Sequence, residues 1–194
     1  PAPDAPAAVV VTDARMPLYE GVRQVRGIAL VGNAAIVFDR IDADAPRMID
    51  RYQYGPGGVP ALHLDAKPAE ALPALPEAGQ FKEIAGGPAG REARVDFGNA
   101  LRMRLVADRD LSLYRAVTFG GYQGRPMSVT FARAGEVKTV TFLAAFVEGG
   151  ESEPPALRII ESSPERMKLE AGPADAARVI DVDVAAGRVE IRPK

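Results

Sequence analysis

Apolar and polar residues alternate along most of this chain, and a period of two predicts β-strands rather than helices. In Leu101–Leu105 the two arginines fall on one face of a strand and the apolar residues on the other. Val179–Val184 shows the same pattern, with two aspartates opposite an apolar face. Val137–Val147 is apolar on both faces at its centre, as expected of a central strand covered on both sides.

Turn residues separate these runs. Gly32–Asn33 lies between two apolar runs and predicts a tight hairpin. Ala134–Gly135 and Ala186–Gly187 predict two further hairpin tips, and the glycine-rich stretch Ala85–Gly90 predicts a loop. Turn signals recur roughly every 8 to 12 residues, which is typical of a sandwich. We therefore predict an all-β fold, an antiparallel β-sandwich of about a dozen strands with at most one short helix.

The pattern predicts a single domain. Only Pro68–Leu75 resembles a helix, and its prolines would limit it to about one turn. The Pro/Ala-rich residues 1–8 are predicted to be a tail or linker, and residues 9–194 a single β-sandwich domain. No apolar run reaches the roughly 18 to 20 residues of a membrane span, so no membrane partner is predicted.

Composition excludes several classes of function. The 194 residues include no cysteine and one histidine, which excludes disulfides, cysteine nucleophiles, thiolate metal sites and two-histidine metal motifs. Lysine and arginine total 24 against 26 aspartates and glutamates, a balance that offers no basic field for a nucleic acid. Three Asp-x-Asp pairs occur, but two carboxylates supply too few oxygen ligands for calcium. We predict no nucleic-acid partner, no metal and no cofactor.

The single histidine, His63, is the residue on which a catalytic triad would have to be built. It alternates with Leu62 and Leu64, which places it on the solvent side of a strand or in a groove. No serine lies in a Gly-x-Ser-x-Gly context, and Gly86–Arg91 lacks the ending that binds phosphate. No catalytic residue is predicted, although the sequence leaves a carboxylate pair of the glycosidase type open.

The most informative segment is Arg47–Tyr54, which as a strand carries Asp50 and two tyrosines on one face and Arg51 on the other. A carboxylate on an inner face needs a partner, so we predict a structural polar network in which Asp50 pairs with Arg40, with Arg26 or with a tyrosine. The alternative is a polar groove in which tyrosines stack on sugar rings and arginines bind carboxylates. The candidate substrate-binding residues are Arg26, Arg51, Tyr52, Tyr54 and His63, and Tyr19 and Arg23 fit the same groove.

Between residues 19 and 54 the chain contains a strand with arginines, an apolar run, a turn, an apolar run with Asp-Arg near its end, and then a strand with an aspartate. The segments that carry this order are Tyr19–Arg26, Ile28–Gly32, Ile36–Ile41, Asp44–Pro46 and Met48–Asp50. This order resembles the β-sandwich region, towards the C-terminus, of the heparinase II/III-like polysaccharide lyases. Later strands continue the order, so the resemblance covers most of the chain.

The resemblance implies a function. Members of that family cleave uronate-containing polysaccharides by β-elimination, and many of their catalytic residues belong to an α/α-toroid domain that precedes the sandwich. It therefore implies a non-catalytic domain that acts as a scaffold and as a surface contacting acidic saccharide. The implied partners are an acidic polysaccharide or a preceding helical toroid domain, and the implied location is secreted or periplasmic.

The resemblance also limits what can be carried over. Only Asp50 matches the family's strand residues, because Arg47 and Tyr54 stand where members carry histidines. No zinc site of the family type is therefore expected. The alternative function is a β-sandwich module, unrelated to the lyases, that binds a protein partner or takes part in assembly.

Overall fold

The described residues form eleven β-strands. The computed structural model describes residues 7–15, 20–55, 59–64, 81–118, 127–149, 152–173 and 176–194, and these residues contain no helix. The predicted all-β fold is confirmed, while residues 1–6 of the predicted tail and the predicted helix lie outside the described residues. The strands are β1 (Ala7–Arg15), β2 (Val22–Val31), β3 (Ala34–Gly55), β4 (Ala61–His63), β5 (Phe81–Phe97), β6 (Leu101–Thr118), β7 (Ser128–Glu148), β8 (Leu157–Ser162), β9 (Arg166–Ala171), β10 (Arg178–Asp183) and β11 (Arg188–Pro193).

The strands form two antiparallel sheets. The larger has the order β1-β2-β3-β7-β6-β5-β4 and the smaller the order β11-β10-β9-β8. Four strands of the larger sheet are 17 to 22 residues long. Their pairing is interrupted midway, for example between Asp42 and Arg47 of β3 and between Ala107 and Ser112 of β6. Such irregularities bend a strand, so each long strand contributes its two halves to two different layers.

The buried side chains show how these layers stack. One core cluster contains Leu105 and Leu113, from the two halves of β6, which means that the larger sheet folds back on itself. A second cluster joins Phe38 of β3 to Ile180 of the smaller sheet. One half of each long strand therefore belongs to a middle layer, and the other half belongs to a back layer. The middle layer packs on the smaller sheet through one face and on the back layer through the other. The back layer consists of the second halves of β3 and β6 and the first halves of β5 and β7.

Several predictions from the pattern are confirmed. Val31 pairs with Ala34 across Gly32–Asn33, a two-residue turn in which Gly32 has a φ of 61°. Residues 186–187 lie in the turn between β10 and β11. The apolar second half of β7 lies between β3 and β6 and buries both faces, Phe142 in one core cluster and Leu143 in the other.

Two predicted turns are instead parts of bent strands. Ala134–Gly135 lies inside β7, at a bulge where an extra residue of β7 opposes β3 and Gly135 adopts a φ of 80°. Ala85–Gly90 lies in β5 and pairs with β6. A side chain at Gly86 would overlap the backbone of Leu113. Glycine is therefore required in these strands for bending and close approach, which is why the sequence signal resembles that of a turn.

Candidate functional site

An open cleft lies at the β4 end of the larger sheet. Its volume is about 850 Å³, and it is lined by β4, β5, β6 and the segment that precedes β8. The register brings the side chains together, because His63 lies opposite Arg94, and Asp96 opposite Arg102, on one face of the sheet. We call it the His63 cleft, and its charged lining residues are His63, Glu92, Arg94, Asp96, Arg102 and Glu153.

The charged groups of the His63 cleft contact one another. Nε2 of His63 lies 3.0 Å from a carboxylate oxygen of Asp96, and the histidine side chain is 56% exposed. Arg102 donates to Glu153 at 3.2 Å, and Arg94 lies 3.6 Å from the same carboxylate. The Glu153 side chain is 62% exposed, so the carboxylate that both arginines contact lies at the surface. The arrangement can bind an anionic group and can exchange a proton at the imidazole.

One nitrogen at the margin of this cleft lacks a hydrogen-bond partner. Arg104 lies two residues from Arg102 on the same face of β6, and its side chain is 11% exposed. Its Nε is buried and has no hydrogen-bond partner among the described residues, although Glu92 lies 3.4 Å away. The hydrogen-bonding capacity of the arginines around the cleft is therefore not fully used.

A second polar site contains Asp39 of β3, which is completely buried. Its carboxylate accepts hydrogen bonds from Gln24 at 2.9 Å, from Arg26 at 2.5 Å and from Arg51 at 3.1 Å. Arg26 lies directly opposite Asp39 in the β2–β3 ladder, whereas Arg51 reaches it because β3 folds back. Burial lowers the pKa of Arg51, and the nearby Asp39 opposes this effect.

Sequence reasoning missed Asp39, although a signal for it exists. The two-residue turn at Gly32–Asn33 fixes the hairpin register, and counting outward from it sets Arg26 opposite Asp39. Asp39 also interrupts an apolar run whose neighbour Phe38 is fully buried. What the sequence does not show is the return of Arg51, because that depends on the bend in β3.

Asp50 is in a buried polar network, but its partner is Arg133 of β7. The two side chains form a bidentate pair with distances of 2.8 and 2.7 Å, directly opposite each other in the ladder. The hydrogen bonds from Arg133 to Asp50 raise the pKa of Arg133. The expectation that Asp50 pairs with Arg40 is wrong, because Arg40 faces the smaller sheet.

Arg40 has its own network between the two sheets. It forms a bidentate pair with Asp42 at 2.9 and 2.6 Å, and its third nitrogen donates to Ser162 of β8 at 2.7 Å. The hydroxyl of Ser162 also lies 2.6 Å from that of Thr141 on β7. This network fixes the end of β8 against the middle layer.

The structure separates the other candidate residues. Tyr52 and Tyr54 lie on the face of β3 opposite Arg51, where Tyr52 stacks at 5.6 Å on the fully buried Phe131 and Tyr54 is 48% exposed. Arg26 and Arg51 meet at Asp39, while His63 lies at the other end of the strand order. The candidates therefore do not form one groove, and Tyr19 lies outside the described residues.

Aspartates of the Asp-x-Asp pairs form ion pairs with arginines. Asp42 binds Arg40, and Asp181 forms a bidentate pair with Arg166 at 2.9 and 2.7 Å. This hydrogen bonding holds the pKa of Asp181 below its ordinary value. Within the described ranges, no group of three or more potential metal ligands is close enough to hold an ion.

Comparisons with known proteins identify the fold. No family model and no curated protein matches the sequence. A solved structure of the heparinase III BT4657 gene product matches with a TM-score of 0.58 and 10% identity, over 91% of this chain and 26% of that chain. A second structure of that product, with methylated lysines, matches with a TM-score of 0.52 and 11% identity, over 96% of this chain and 25% of that one.

A heparan sulfate lyase gives the same result. A mutant of HepC from Pedobacter heparinus matches with a TM-score of 0.50 and 10% identity, over 96% of this chain and 26% of that chain. The chain thus has the fold of a heparinase-like β-sandwich and spans about a quarter of the length of these lyases. The resemblance predicted from residues 19–54 is confirmed at the level of the fold. None of the described residues belongs to a helix that could cross a membrane.

Proposed function

We propose that this chain is a β-sandwich domain of a polysaccharide-lyase-like protein, in which it acts as a scaffold and contacts an acidic saccharide through the His63 cleft. The observation that carries the proposal is the pair of arginines, Arg94 and Arg102, beside the only imidazole in an open cleft of a heparinase-like fold. A secreted or periplasmic location belongs to the same proposal, because polymeric substrates are met there.

The charges of the cleft suit an acidic sugar. Guanidinium groups bind carboxylates and sulfates through paired hydrogen bonds. The partner that Arg94 and Arg102 now share, Glu153, is mostly exposed, so a uronate carboxylate can take its place at little energetic cost. A cleft of about 850 Å³ lies within the usual range for small-ligand sites.

The same cleft supports a binding role better than a catalytic one. β-Elimination needs a base, an acid and a group that neutralises the uronate carboxylate. Among the described lining residues there is one imidazole, and its Nε2 already contacts Asp96, while no tyrosine lines the cleft. We propose that the chemistry is supplied by other parts of the parent protein, and that this chain alone does not depolymerise the polymer.

The test is calorimetric titration of the chain with a sulfated and an unsulfated uronate tetrasaccharide, with a neutral tetrasaccharide for comparison. We expect Arg102→Ala to weaken binding of the acidic sugars about tenfold, since a hydrogen bond to a charged group contributes about 1.5 kcal/mol or more. Arg188→Ala is the matched control, because Arg188 is 69% exposed on the smaller sheet. It should leave the affinity unchanged.

Three results would contradict the proposal. Equal binding of the neutral sugar would remove the role of charge, and undiminished binding by Arg102→Ala would place the saccharide elsewhere. Release of the ultraviolet-absorbing unsaturated product by this chain alone would show that it is catalytic. Absence of any saccharide binding would favour the alternative, a module that binds a protein partner.

A further inference from the structure

Among the described residues that line the His63 cleft, His63 is the side chain whose charge changes near neutral pH. The sequence contains one histidine and no cysteine. Histidine ordinarily gains or loses its charge between about pH 5 and pH 8, whereas carboxylates titrate below that range and guanidinium groups above it. The His63 side chain is 56% exposed in an open cleft, so both protons and a ligand can reach it.

Asp96 determines which imidazole nitrogen is left for a ligand. Nε2 of His63 lies 3.0 Å from a carboxylate oxygen of Asp96, and an ionised carboxylate only accepts hydrogen bonds, so neutral His63 carries its proton on Nε2. Among the described residues, no hydrogen bond is made to the other nitrogen, Nδ1. Nδ1 is therefore a bare acceptor in neutral His63 and a charged N–H donor after protonation. The first form suits a sugar hydroxyl, and the second suits a carboxylate or sulfate.

The charges around His63 are balanced while the imidazole is neutral. The charged side chains on this surface belong to β5, to β6 and to the segment that precedes β8: Glu92, Arg94, Asp96, Arg102, Arg104 and Glu153. Three guanidinium groups thus lie among three carboxylates in the part of the chain that the structure describes. Protonation of His63 gives the cleft a net positive charge, which favours an acidic ligand.

Asp96 also connects the imidazole to the arginines. One oxygen of Asp96 contacts His63, and the other lies 3.9 Å from Nε of Arg102. While His63 is neutral, the negative charge of Asp96 lies between the imidazole and an arginine that an acidic ligand would contact. An imidazolium offsets that charge, so the attraction of Arg102 for an added anion increases. This effect acts in the same direction as the new donor at Nδ1.

We propose that the His63 cleft binds acidic saccharide together with a proton taken up by His63, so that binding strengthens as pH falls from about 8 to about 5.5. This inference rests on the proposed function, because it states how the same site is regulated. The sign follows from linkage: the imidazolium form binds the anion more tightly, and the bound anion in turn makes His63 hold its proton more tightly. The carboxylate and sulfate groups of the sugar stay ionised over this range, so the charge of the ligand does not change.

The first test is calorimetric titration of the whole chain with a sulfated uronate tetrasaccharide at these two pH values and constant ionic strength. We expect about tenfold tighter binding at the lower pH, as for one added hydrogen bond from a charged donor. Repeating the titration near neutral pH, in buffers of different ionisation enthalpy, should show net proton uptake. A neutral tetrasaccharide should show neither effect.

Two variants assign the effect to the imidazole. His63→Gln should lose both the pH dependence and the proton uptake, and it is expected to fold because the side chain is more than half exposed. Arg188→Ala is the matched control and should keep both, because Arg188 is 69% exposed on the smaller sheet.

The second test needs no variant. Because the chain has one histidine, the ring signals of His63 can be followed by NMR during a pH titration of the wild type. The acidic tetrasaccharide should move the midpoint of this titration to higher pH, and the neutral one should leave it in place.

The outcomes separate this inference from the proposed function. Equal affinity at the two pH values, pH dependence retained in His63→Gln, or an unmoved midpoint would overturn the inference. If binding is independent of pH but is still weakened by Arg102→Ala, the inference fails and the saccharide-binding role stands. If no acidic saccharide binds at either pH, the proposed function fails and the inference fails with it.

Discussion

The pair between Asp50 and Arg133 allows the most direct test of the polar networks. Its two hydrogen bonds are 2.8 and 2.7 Å long, and the two side chains are only 13% and 9% exposed. In Asp50→Asn the charge is lost and one acceptor oxygen becomes a donor facing a guanidinium. The Arg133 cation remains buried beside Tyr52 and Tyr114, whose proximity is seen in the causes that raise the pKa of Arg133.

The magnitude follows from these contacts. Breaking a buried ion pair by removing one partner costs about 3 to 5 kcal/mol, and the residual exposure of this pair places the loss near the lower end. We expect Asp50→Asn to reduce the free energy of unfolding by about 3 kcal/mol, which for this length lowers the melting temperature by about 6 to 12 °C. The measurement is urea unfolding followed by far-ultraviolet circular dichroism.

Two further variants make the result interpretable. Asp110→Asn is the control, because Asp110 and its partner Arg91 are 84% and 71% exposed, and no measurable change is expected. The double variant Asp50→Asn with Arg133→Met should recover much of the loss, since it removes the uncompensated charge. A loss below about 1 kcal/mol in Asp50→Asn, at an unchanged m-value, would refute the assignment of a structural role to this pair.

Two other predictions concern the middle layer and the smaller sheet. Gly27→Ala places a methyl group on the ring of Phe38, which is fully buried, and should reduce the free energy of unfolding by about 1 to 3 kcal/mol; an unchanged urea midpoint would contradict this packing. Arg166 holds the pKa of Asp181 below its ordinary value. The ionised Asp181 therefore stabilises the fold fully above the unfolded-state pKa of about 3.9, and this contribution is lost as pH falls through the lower folded-state pKa. The free energy of unfolding of Asp181→Asn should therefore depend less steeply on pH below about 4 than that of the wild type. The same pH dependence in both proteins would contradict this contribution of Asp181.

The sequence predicted the strands because burial imposes a period of two on each face. The burial of Met103 and Leu105, on the face of β6 opposite Arg102 and Arg104, follows directly from the alternation. The same reasoning misjudged glycine. In β5 and β7 glycines mark bends within a strand, and a single sequence does not distinguish such a bend from the end of a strand.

The candidate sites were predicted less well for a related reason. Alternation correctly assigns Asp50 and Arg51 to opposite faces, yet the partners of both depend on tertiary pairing. Arg133 lies 83 residues from Asp50 along the chain, and Arg51 reaches Asp39 only because β3 reverses its layer. Local patterns determine which face a side chain occupies, whereas long-range register determines what it meets.

The strands that run through two layers have a consequence for how the protein folds. β3 pairs with β7 at positions about 75 to 110 residues apart in sequence, so closure of long chain segments must precede the formation of either hydrophobic core. High contact order of this kind slows folding to the millisecond-to-second range. Because the same hydrogen-bonded ladders support both layers, amide exchange in them should occur by one shared opening rather than layer by layer.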